Sequence, residues 1–321
     1  MSEKHPIIAI TGSSGAGTTM VRNAFGNIFF KEGINAAYID GDSFLRYERE
    51  EMSRTIEESN LADKPISHFG PEANRLDLLE GFFKEYAESG TGRFRKYIKE
   101  GDPLTEKYPA GTFSDELSLE HDSDLLLYEG LHGGVVAKTW TRRRMSPSHN
   151  PVVKERRNRR ANGDGIDVAQ HVDLLIGVVP VVNLEWIQKI HRDLQHGTTV
   201  EETTTTILRR LQDYIYFMTP QFSLTDINFQ RVPLVDTSNP FIARDVPTPT
   251  ESMLVIRFRE PNKYDFDSLL KRFEGAFMSR PNTMVVPGGK LHMAIGIICA
   301  PRIQELVDKS RRSRGATSKA S

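Results

Sequence analysis

Short β-branched segments alternate along the chain with longer segments in which apolar residues recur every three or four positions. The first pattern is typical of buried strands and the second of amphipathic helices, so the alternation predicts an α/β fold with a mostly parallel sheet flanked by helices. The later strands lie closer together, which predicts antiparallel members there. The predicted strands cover residues 6–11, 36–39, 124–128, 174–179, 232–235, 253–258 and 284–286, and the predicted helices cover residues 18–32, 72–88, 184–194, 200–217, 266–277 and 290–310.

The composition is that of an ordinary globular protein, with 38% apolar and 26% charged residues in a chain of 321. A net charge of −1 gives no global field that would draw the chain to nucleic acid or an anionic membrane, so neither partner is expected. The N-terminal segment lacks the apolar region of a signal peptide, and no segment approaches the roughly 18 apolar residues of a membrane span. Cys299 is the only cysteine, which excludes an intramolecular disulfide. These features predict a cytoplasmic protein.

Two segments are rich in basic residues. Residues 138–165 hold many Arg and Lys residues between Pro, Asn and Gly, which predicts a long exposed insert in one kinase domain of residues 1–309. The insert is explained either by solvated charge or by a docking surface for an anionic partner. Residues 310–321 are polar and basic, which predicts a disordered tail.

A glycine-rich segment follows the first predicted strand. Its spacing is that of a P-loop, and the strand–loop–helix context favours phosphate binding over a glycine-rich turn without function. In such a loop the backbone N–H groups converge on phosphate oxygens at a helix start, and Thr19 would place its hydroxyl on Mg²⁺. Thr18 occupies the position of the usual lysine, so another cation must reach the γ-phosphate. The predicted ATP phosphate-binding residues are Gly12, Ser13, Ser14, Gly15, Ala16, Gly17, Thr18 and Thr19.

Acidic residues follow two of the predicted strands. Asp42 comes just after the strand at 36–39, and the ligand crevice of an open parallel sheet lies beyond the carboxyl ends of its strands. In a kinase, a carboxylate there can accept the proton of the attacking hydroxyl. An aspartate that caps a turn explains the sequence equally well. Glu129 ends the strand at 124–128 as the acid of a Walker B strand does, so we predict that it supports Mg²⁺.

The predicted helix at 184–194 brings three charged side chains to one face. Lys189, Arg192 and Asp193 are spaced i, i+3 and i+4. They would supply the cations that the loop lacks, together with a carboxylate for Mg²⁺. A Lys189–Asp193 pair within the helix, worth only about 0.3–0.5 kcal/mol, explains the same spacing.

Four arginines flank these candidates. Arg46 and Arg49 follow Asp42, and Arg49 could clamp a substrate phosphate with two hydrogen bonds. Arg209 and Arg210 lie on the next predicted helix, where each alone is more typical of a surface arginine than of a ligand.

Several longer segments of the chain are distinctive as a set: GSSGAGTT, DGDSFLRYER, SHFGPEAN, GTGRFRKY, LLLYEGLHGG, GVVPVVNLEWIQKIHRD, PQFSLTDINFQRVPLVDTSNPF and MVVPGGK. Together these segments resemble bacterial phosphoribulokinases. The resemblance spans nearly the whole chain apart from the basic insert and the tail. It implies a P-loop, nucleoside-monophosphate-kinase-like α/β domain in a homo-oligomer. It also implies phosphorylation of ribulose 5-phosphate at the C1 hydroxyl by ATP with Mg²⁺, which gives the carbon dioxide acceptor of the Calvin cycle.

The resemblance also implies roles for single residues. Asp42 matches the general base of the family. NADH is implied as an allosteric activator, at positions that include a lysine where an arginine is usual. The plant-type thioredoxin switch needs a cysteine pair that this chain lacks. The remaining matches are Glu129 and Asp193 at the metal site, Lys189 and Arg192 as phosphate-stabilising cations, Arg49 as a sugar-phosphate ligand, and Lys31, Arg257 and Arg280 at the activator positions.

Two positions depart from the family. Leu45 stands where a histidine usually contacts the substrate, and His196 lies near where an active-site arginine would align. Leucine cannot donate a hydrogen bond, which predicts a raised KM for ribulose 5-phosphate. The departures leave open a kinase for another sugar phosphate or nucleoside, and a divergent ATP-binding regulatory paralogue with weakened catalysis. Retention of the predicted base, cations and metal ligands argues against the second alternative.

Overall fold

The structure is a computed structural model that describes residues 4–12, 18–61, 66–119, 122–135 and 166–315. The predicted basic insert at 138–165 and residues 13–17 of the predicted phosphate loop lie outside these ranges. Within the described ranges, none of the helices has the length and apolarity needed to cross a bilayer.

An eight-stranded mixed sheet forms the centre of the described structure. Its order is β2-β5-β1-β6-β7-β8-β10-β9, with parallel pairing from β2 to β7 and antiparallel pairing from β7 to β9. A separate antiparallel hairpin is formed by β3 and β4. The strands are β1 Ile7–Gly12, β2 Ala36–Asp40, β3 Arg93–Tyr97, β4 Phe113–Ser118, β5 Leu125–Gly130, β6 Leu174–Pro180, β7 Ile227–Pro233, β8 Ser252–Phe258, β9 Phe277–Arg280 and β10 Thr283–Pro287.

Helices cover both faces of this sheet. One core cluster joins the sheet to α1 and α8, and the other joins it to α3. Every residue of β1 is buried because this central strand has neighbours on both edges and helices on both faces. The helices are α1 Thr18–Lys31, α2 Arg49–Leu61, α3 Leu76–Ser89, α4 Val182–Gln195, α5 Val200–Asp213, α6 Thr219–Leu224, α7 Phe266–Lys271 and α8 Leu291–Ser313, with a π-helical turn at Tyr214–Met218 between α5 and α6.

Three predicted elements need correction. The strand predicted at 232–235 is β7, Ile227–Pro233, whose polar residues alternate with buried Ile227 and Phe229 and hide the apolar pattern. The helix predicted at 266–277 ends at Lys271, and the edge strand β9 begins at Phe277. The disordered tail was predicted to begin too early, because α8 continues to Ser313.

Other elements gave no usable signal in the sequence. Helix α2 buries only Met52, so it lacks an amphipathic stripe. Strands β3 and β4 pair outside the main sheet, and both are largely exposed. Their existence depends on contacts with distant segments and not on local apolar periodicity.

A repeated aspartate fixes the start of three parallel strands. Asp124, Asp173 and Asp226 directly precede β5, β6 and β7. Each carboxylate accepts a backbone N–H at the start of a neighbouring strand, and each aspartate N–H bonds back to the same residue. The carboxylate partners are Asn35 at 2.9 Å, Ile7 at 2.9 Å and Leu175 at 2.8 Å, respectively.

Asp124 also joins the sheet to the last helix. Arg311 makes a bidentate contact with its carboxylate at 2.9 and 2.6 Å, and Arg314 contacts it at 3.2 Å. Burial alone would raise the pKa of Asp124, but the Arg311 hydrogen bonds, the Asn35 N–H and the Arg314 charge together lower it. This clamp explains why the chain is helical at Arg311, inside the segment that was predicted to be disordered.

We expect Asp173→Asn to stabilise the protein near neutral pH. Burial raises the pKa of Asp173 to about 6, above the roughly 3.9 of an unfolded chain. Its ionisation therefore costs stability progressively as the pH rises from about 4 to about 6. Asparagine keeps an oxygen for the Ile7 N–H without that cost, so the gain in free energy of unfolding should be about 1–3 kcal/mol, measured by urea denaturation at several pH values.

Asp124→Asn is the matched control, and its effect should have the opposite sign. The folded pKa of Asp124 is lowered, so its contribution is present above the unfolded pKa and is lost as the pH falls through the folded pKa. The variant should lose about 1–3 kcal/mol near neutral pH, because two arginines lose their anionic partner. A shift of both variants in the same direction would contradict this account of the two carboxylates.

Candidate active site

The carboxyl ends of the parallel strands form one wall of a cavity of about 380 Å³. Strand β1 contributes Gly12, and the ends of β2 and β5, with the turn after β2, contribute acidic residues. Helices α4 and α5 contribute cations. The charged residues that line the cavity are four acids, Asp40, Asp42, Glu129 and Glu185, and four cations, Lys99, Lys189, Arg192 and Arg210.

Strands β2 and β5 come very close at these ends. A Cβ added to Gly41 would lie 2.8 Å from the Gly130 Cα and 2.7 Å from the Tyr128 hydroxyl. Only glycine leaves room for the two backbones at this spacing. The close approach brings the turn that carries Asp42 next to the end of the strand that carries Glu129.

Asp42 lies in a 3₁₀ turn, Gly41–Phe44, and faces the cavity. The capping role that the sequence also allowed belongs instead to Asp40, whose carboxylate accepts the Asp42 N–H at 2.9 Å. Burial and the neighbouring Asp40 raise the pKa of Asp42, and Lys99 opposes them. The carboxylate of Asp42 is thus available at the cavity surface as a proton acceptor.

Side chains of β2 and α1 contact the carboxylate of Glu129. Its Oε2 accepts the Tyr38 hydroxyl at 2.8 Å, and the Arg22 Nε lies 3.8 Å from the same oxygen. Burial, with the Glu129 charge next to it, raises the pKa of Tyr38, so the phenol stays a donor. These contacts orient the carboxylate and leave it with further lone pairs toward the cavity.

Helix α4 presents the predicted cations. Lys189 Nζ lies 2.5 Å from Asp193 Oδ2, so the intrahelical pair exists, and both Lys189 and Arg192 also line the cavity. Burial lowers the pKa of Lys189 and Asp193 counteracts this. Asp193 itself is not among the residues that line the cavity, and Thr203 also donates to its carboxylate at 3.5 Å.

The expectation for Arg210 needs correction. Instead of a surface residue, Arg210 is largely buried, lines the cavity and contacts His68 Nδ1 at 3.2 Å. Burial, with Arg209 nearby, lowers the pKa of Arg210 to about 10. The buried Nε atoms of both arginines have no hydrogen-bond partner within the described structure. Local sequence could not show this, because the burial comes from packing of α5 against distant segments.

A second cavity, of about 290 Å³, adjoins the first. Leu45 and His68 line both cavities, and Arg49 lines the second. Arg49 therefore lies beside the main cavity, where its guanidinium pairs with Glu100 at 3.1 Å. Arg46 instead donates to the backbone oxygens of Glu72 at 2.9 Å and Asn74 at 3.4 Å.

Four predicted residues, His196, Lys31, Arg257 and Arg280, are not among those that line either cavity. His196 caps the end of α4 and is exposed. Lys31 ends α1 on one face of the sheet, whereas the Arg257 guanidinium contacts Phe222 and Thr225 on the opposite face. Arg280 is exposed at the end of the edge strand β9. Of the predicted phosphate loop, Gly12 ends β1, and Thr18 and Thr19 begin α1.

Lys99, Asp40 and His68 were not singled out from the sequence. Lys99 follows the exposed strand β3, and its Nζ lies 2.6 Å from Asp40 Oδ2 and 2.8 Å from Asp42 Oδ2. His68 belongs to the SHFGPEAN segment, but no spacing rule connects that segment to the other site residues. Only tertiary packing brings these three into the cavity.

Comparisons with known proteins agree with this geometry. The model of the phosphoribulokinase/uridine kinase family matches residues 7–238. The chain is 50% identical to a phosphoribulokinase of Sinorhizobium medicae, over 97% of this chain and 99% of that protein. It is 49% identical to a phosphoribulokinase of Nitrobacter vulgaris, over 98% of this chain and 100% of that protein. The solved structure of phosphoribulokinase from Rhodobacter spheroides matches with a TM-score of 0.81 at 46% identity, over 97% of this chain and 100% of that one. The predicted P-loop kinase fold and the family resemblance are confirmed.

We expect His68 to stay neutral throughout the physiological pH range. Burial, with Arg210, Arg209 and Lys189 nearby, lowers its pKa to about 4. An NMR titration should therefore show no protonation of His68 above about pH 5. Arg210→Met should raise the pKa of His68, whereas Arg93→Met, at an exposed pair with Glu116, should leave it unchanged. An identical titration in wild type and Arg210→Met would contradict the contact.

Proposed function

The chain belongs to the phosphoribulokinase/uridine kinase family, and we propose that it transfers the γ-phosphate of ATP to the C1 hydroxyl of ribulose 5-phosphate. The observation that carries the proposal is the cavity at the strand ends, which Asp42, Lys189 and Arg192 all line. Such an arrangement places a proton acceptor in one cavity with cations that can stabilise a transferring phosphoryl group.

The acceptor hydroxyl reacts at the Asp42 side of the cavity. Its oxygen forms a bond to the γ-phosphorus, the bond from that phosphorus to the β–γ bridging oxygen breaks, and ADP leaves. The Asp42 carboxylate accepts the hydroxyl proton as the new bond forms. Because the pKa of Asp42 is raised above its ordinary value, the carboxylate is a stronger base than an exposed aspartate.

Lys189, Arg192 and Arg210 stabilise the phosphoryl oxygens. They line the same cavity as Asp42, and Thr18 provides no charge where a P-loop lysine would act. Charge on the oxygens interacts more strongly with these cations where the cavity excludes water than it would in bulk water. The backbone of residues 12–19 is proposed to hold the other phosphates of ATP.

Glu129 and Asp193 are proposed to hold Mg²⁺ together with Thr19. Carboxylate and hydroxyl oxygens are suitable donors for this ion, which is bound in kinases by one or two carboxylates and the substrate phosphates. Among the described residues, no group of three or more acidic, histidine or cysteine side chains is placed to hold a metal ion by itself. When bound, Mg²⁺ neutralises charge on the β- and γ-phosphates.

The 5-phosphate of the acceptor is proposed to bind Arg49 in the adjoining cavity. The Arg49–Glu100 pair is exposed at both side chains, 53% and 80%, so its net stabilisation is about 0–1 kcal/mol. A phosphate dianion can replace Glu100 and gain bidentate contacts. Arg46 is a weaker candidate, because backbone oxygens already bind its guanidinium.

The predictions about an NADH site, the oligomeric state, the cellular location and the pathway stay predictions. A pyrophosphate site for NADH built from Lys31, Arg257 and Arg280 would need more than one subunit, because the first two lie on opposite faces of the sheet in one chain. The homo-oligomer, the cytoplasmic location and the place in the Calvin cycle are proposed from the family alone.

The experiment that tests the function is an assay of ADP release with ATP, Mg²⁺ and a panel of acceptors. The panel contains ribulose 5-phosphate, other pentose and polyol phosphates, and uridine. The expected result is the highest kcat/KM with ribulose 5-phosphate. Faster turnover of another acceptor would support the alternative kinase, and Leu45 would then be examined as a determinant of specificity. Binding of ATP without turnover of any acceptor would support the regulatory paralogue.

We expect Asp42→Asn to reduce kcat by about 10²–10⁴-fold while ATP still binds, because the amide cannot accept the hydroxyl proton. ATP affinity is measured by calorimetry and kcat by the ADP-release assay. Asp77→Asn, at an exposed aspartate paired with Arg75, is the control and should turn over normally. Near-normal turnover of Asp42→Asn would remove Asp42 from the mechanism.

Lys189→Met should reduce kcat by about 10²–10³-fold with a much smaller change in the KM for ATP, because charge on the γ-phosphate increases in the transition state. Steady-state kinetics with varied ATP measure both constants. Lys263→Met, at an exposed pair with Glu260 outside the cavity, is the control for loss of a lysine ion pair. A raised KM at constant kcat would show that Lys189 only binds the ground state.

A further inference from the structure

Lys99 connects the two acidic residues of the β2 turn. Its Nζ lies 2.6 Å from Asp40 Oδ2 and 2.8 Å from Asp42 Oδ2, so one ammonium group binds both carboxylates. The lysine comes from a different part of the fold, just after β3, where Ile98 exchanges backbone hydrogen bonds with Thr112 and Gly111. Pairing of β3 with β4 thus places Lys99, just after β3, beside Asp42, the proposed base.

The turn needs this cation because it concentrates negative charge. Asp40 is only two residues from Asp42, and its register partner on β5 is Glu129. Burial, Asp40 and Glu129 all raise the pKa of Asp42, and Lys99 is the group that lowers it. Without Lys99, repulsion would favour a protonated or displaced Asp42 carboxylate, and neither form can act as the base.

No other described cation replaces Lys99 at this place. Within the described part of the chain, Lys99 forms the one ion pair that reaches Asp42. Lys189 pairs with Asp193, and Arg210 contacts His68. The lysine contact is therefore specific to the base and its neighbour.

We propose that Lys99 is a positioning residue for the phosphoryl transfer: by binding Asp40 and Asp42 together, it holds the Asp42 carboxylate toward the acceptor hydroxyl. The inference rests on the proposed function. Asp40 supports the same arrangement, because its carboxylate also accepts the Asp42 N–H. Lys99 acts through Asp42 and is not itself assigned a contact with the substrate.

The neighbouring ion pair behaves differently when the acceptor binds. Glu100 holds Arg49 in a single exposed contact at 3.1 Å, which the acceptor phosphate replaces. The Lys99 side chain is as exposed as that of Arg49, at 52% against 53%, but it contacts two carboxylates, and a charge shared between two partners is harder to displace. Acceptor binding therefore exchanges Glu100 for the phosphate at Arg49 and leaves the Lys99 contact in place.

The test compares the kinetics of Lys99→Met with those of Lys96→Met. Both lysines belong to the β3 segment, but Lys96 pairs with Asp102, at 2.7 Å, outside the cavity. Loss of positioning should reduce kcat by about 10- to 100-fold in Lys99→Met, with KM for ribulose 5-phosphate nearly unchanged. Lys96→Met should show normal kinetics, and Lys99→Arg should regain part of the lost kcat because it keeps the charge.

A second substitution separates positioning from substrate binding. Asp40→Asn removes the charge that Lys99 neutralises, and asparagine caps the turn as well as aspartate does. Added to Lys99→Met, it should recover most of the lost kcat, so the two substitutions are strongly non-additive. If Lys99 instead contacted the acceptor phosphate, Lys99→Met would raise KM at constant kcat, and Asp40→Asn would recover nothing. That result would overturn the proposal.

The pH profile gives a readout that a purely structural role would not move. Removal of Lys99 raises the pKa of Asp42, so the acid limb of kcat/KM should move to higher pH by about one unit. Asp40→Asn in the same background should move it back. An acid limb of kcat/KM at the same pH in Lys99→Met as in wild type would also overturn the proposal.

The charged or titratable groups around Asp42 are Asp40 on β2, Lys99 after β3, Glu129 on β5, Glu185, Lys189 and Arg192 on α4, Arg210 on α5, and His68.

The failure of this proposal is distinct from failure of the proposed function. The acceptor panel with the wild-type protein tests the function alone, and Asp42→Asn tests the base alone. If both succeed and Lys99→Met equals wild type in kcat and in pH profile, the function is retained and the role of Lys99 is wrong.

Discussion

The parallel hydrogen bonding of β2, β5, β1, β6 and β7 is the constraint on which the site depends. Parallel strands end at the same edge, so residues far apart in sequence meet there whenever the register is fixed. Three aspartates fix it at the opposite edge, since Asp124, Asp173 and Asp226 each bond to the first residues of a neighbouring strand. The three aspartates differ in the free energy that their desolvation costs, and of the three only Asp124 pairs with arginines at the end of α8.

The strand register that is fixed at one edge of the sheet determines which charged residues lie together at the other edge. The ends of β2 and β5 place three carboxylates close together, and the near contact of Gly41 with Gly130 leaves no space to separate them. Cations from β3, α4 and α5 balance these acids across the cavity. The ion pairs are therefore a consequence of the sheet, and they create the two charge environments that a phosphoryl transfer needs: a basic carboxylate and a wall of fixed cations.

Leu45 and Lys99 line the cavity near the turn that carries Asp42, the proposed base. Leu45 forms part of the wall shared by the two cavities, next to the Asp42 turn. The polar contact that a histidine would offer there is absent from leucine, while Lys99 supplies a cation from the hairpin beside it. The proposed proton acceptor, Asp42, thus pairs with a residue that lies outside the main sheet.

Local sequence determined the elements whose signal is periodic and buried. The strands around Ile7–Gly12, Leu125–Gly130 and Leu174–Pro180 were predictable because both faces are covered, and helix α4 was predictable from its amphipathic stripe. The family motifs, together with the acids at strand ends, led to Asp42, Glu129 and Lys189. These positions follow from local rules, namely a strand end or a helical spacing.

Only the tertiary structure decided which charges act together. Lys99 and His68 lie in segments with no periodic signal, and Arg210 has the sequence context of a surface arginine. Their burial and pairing arise from contacts between elements separated by tens to hundreds of positions in the chain. The strength of a charge contact depends on distance and solvent exposure in the folded state, and neither quantity is encoded in local residue order.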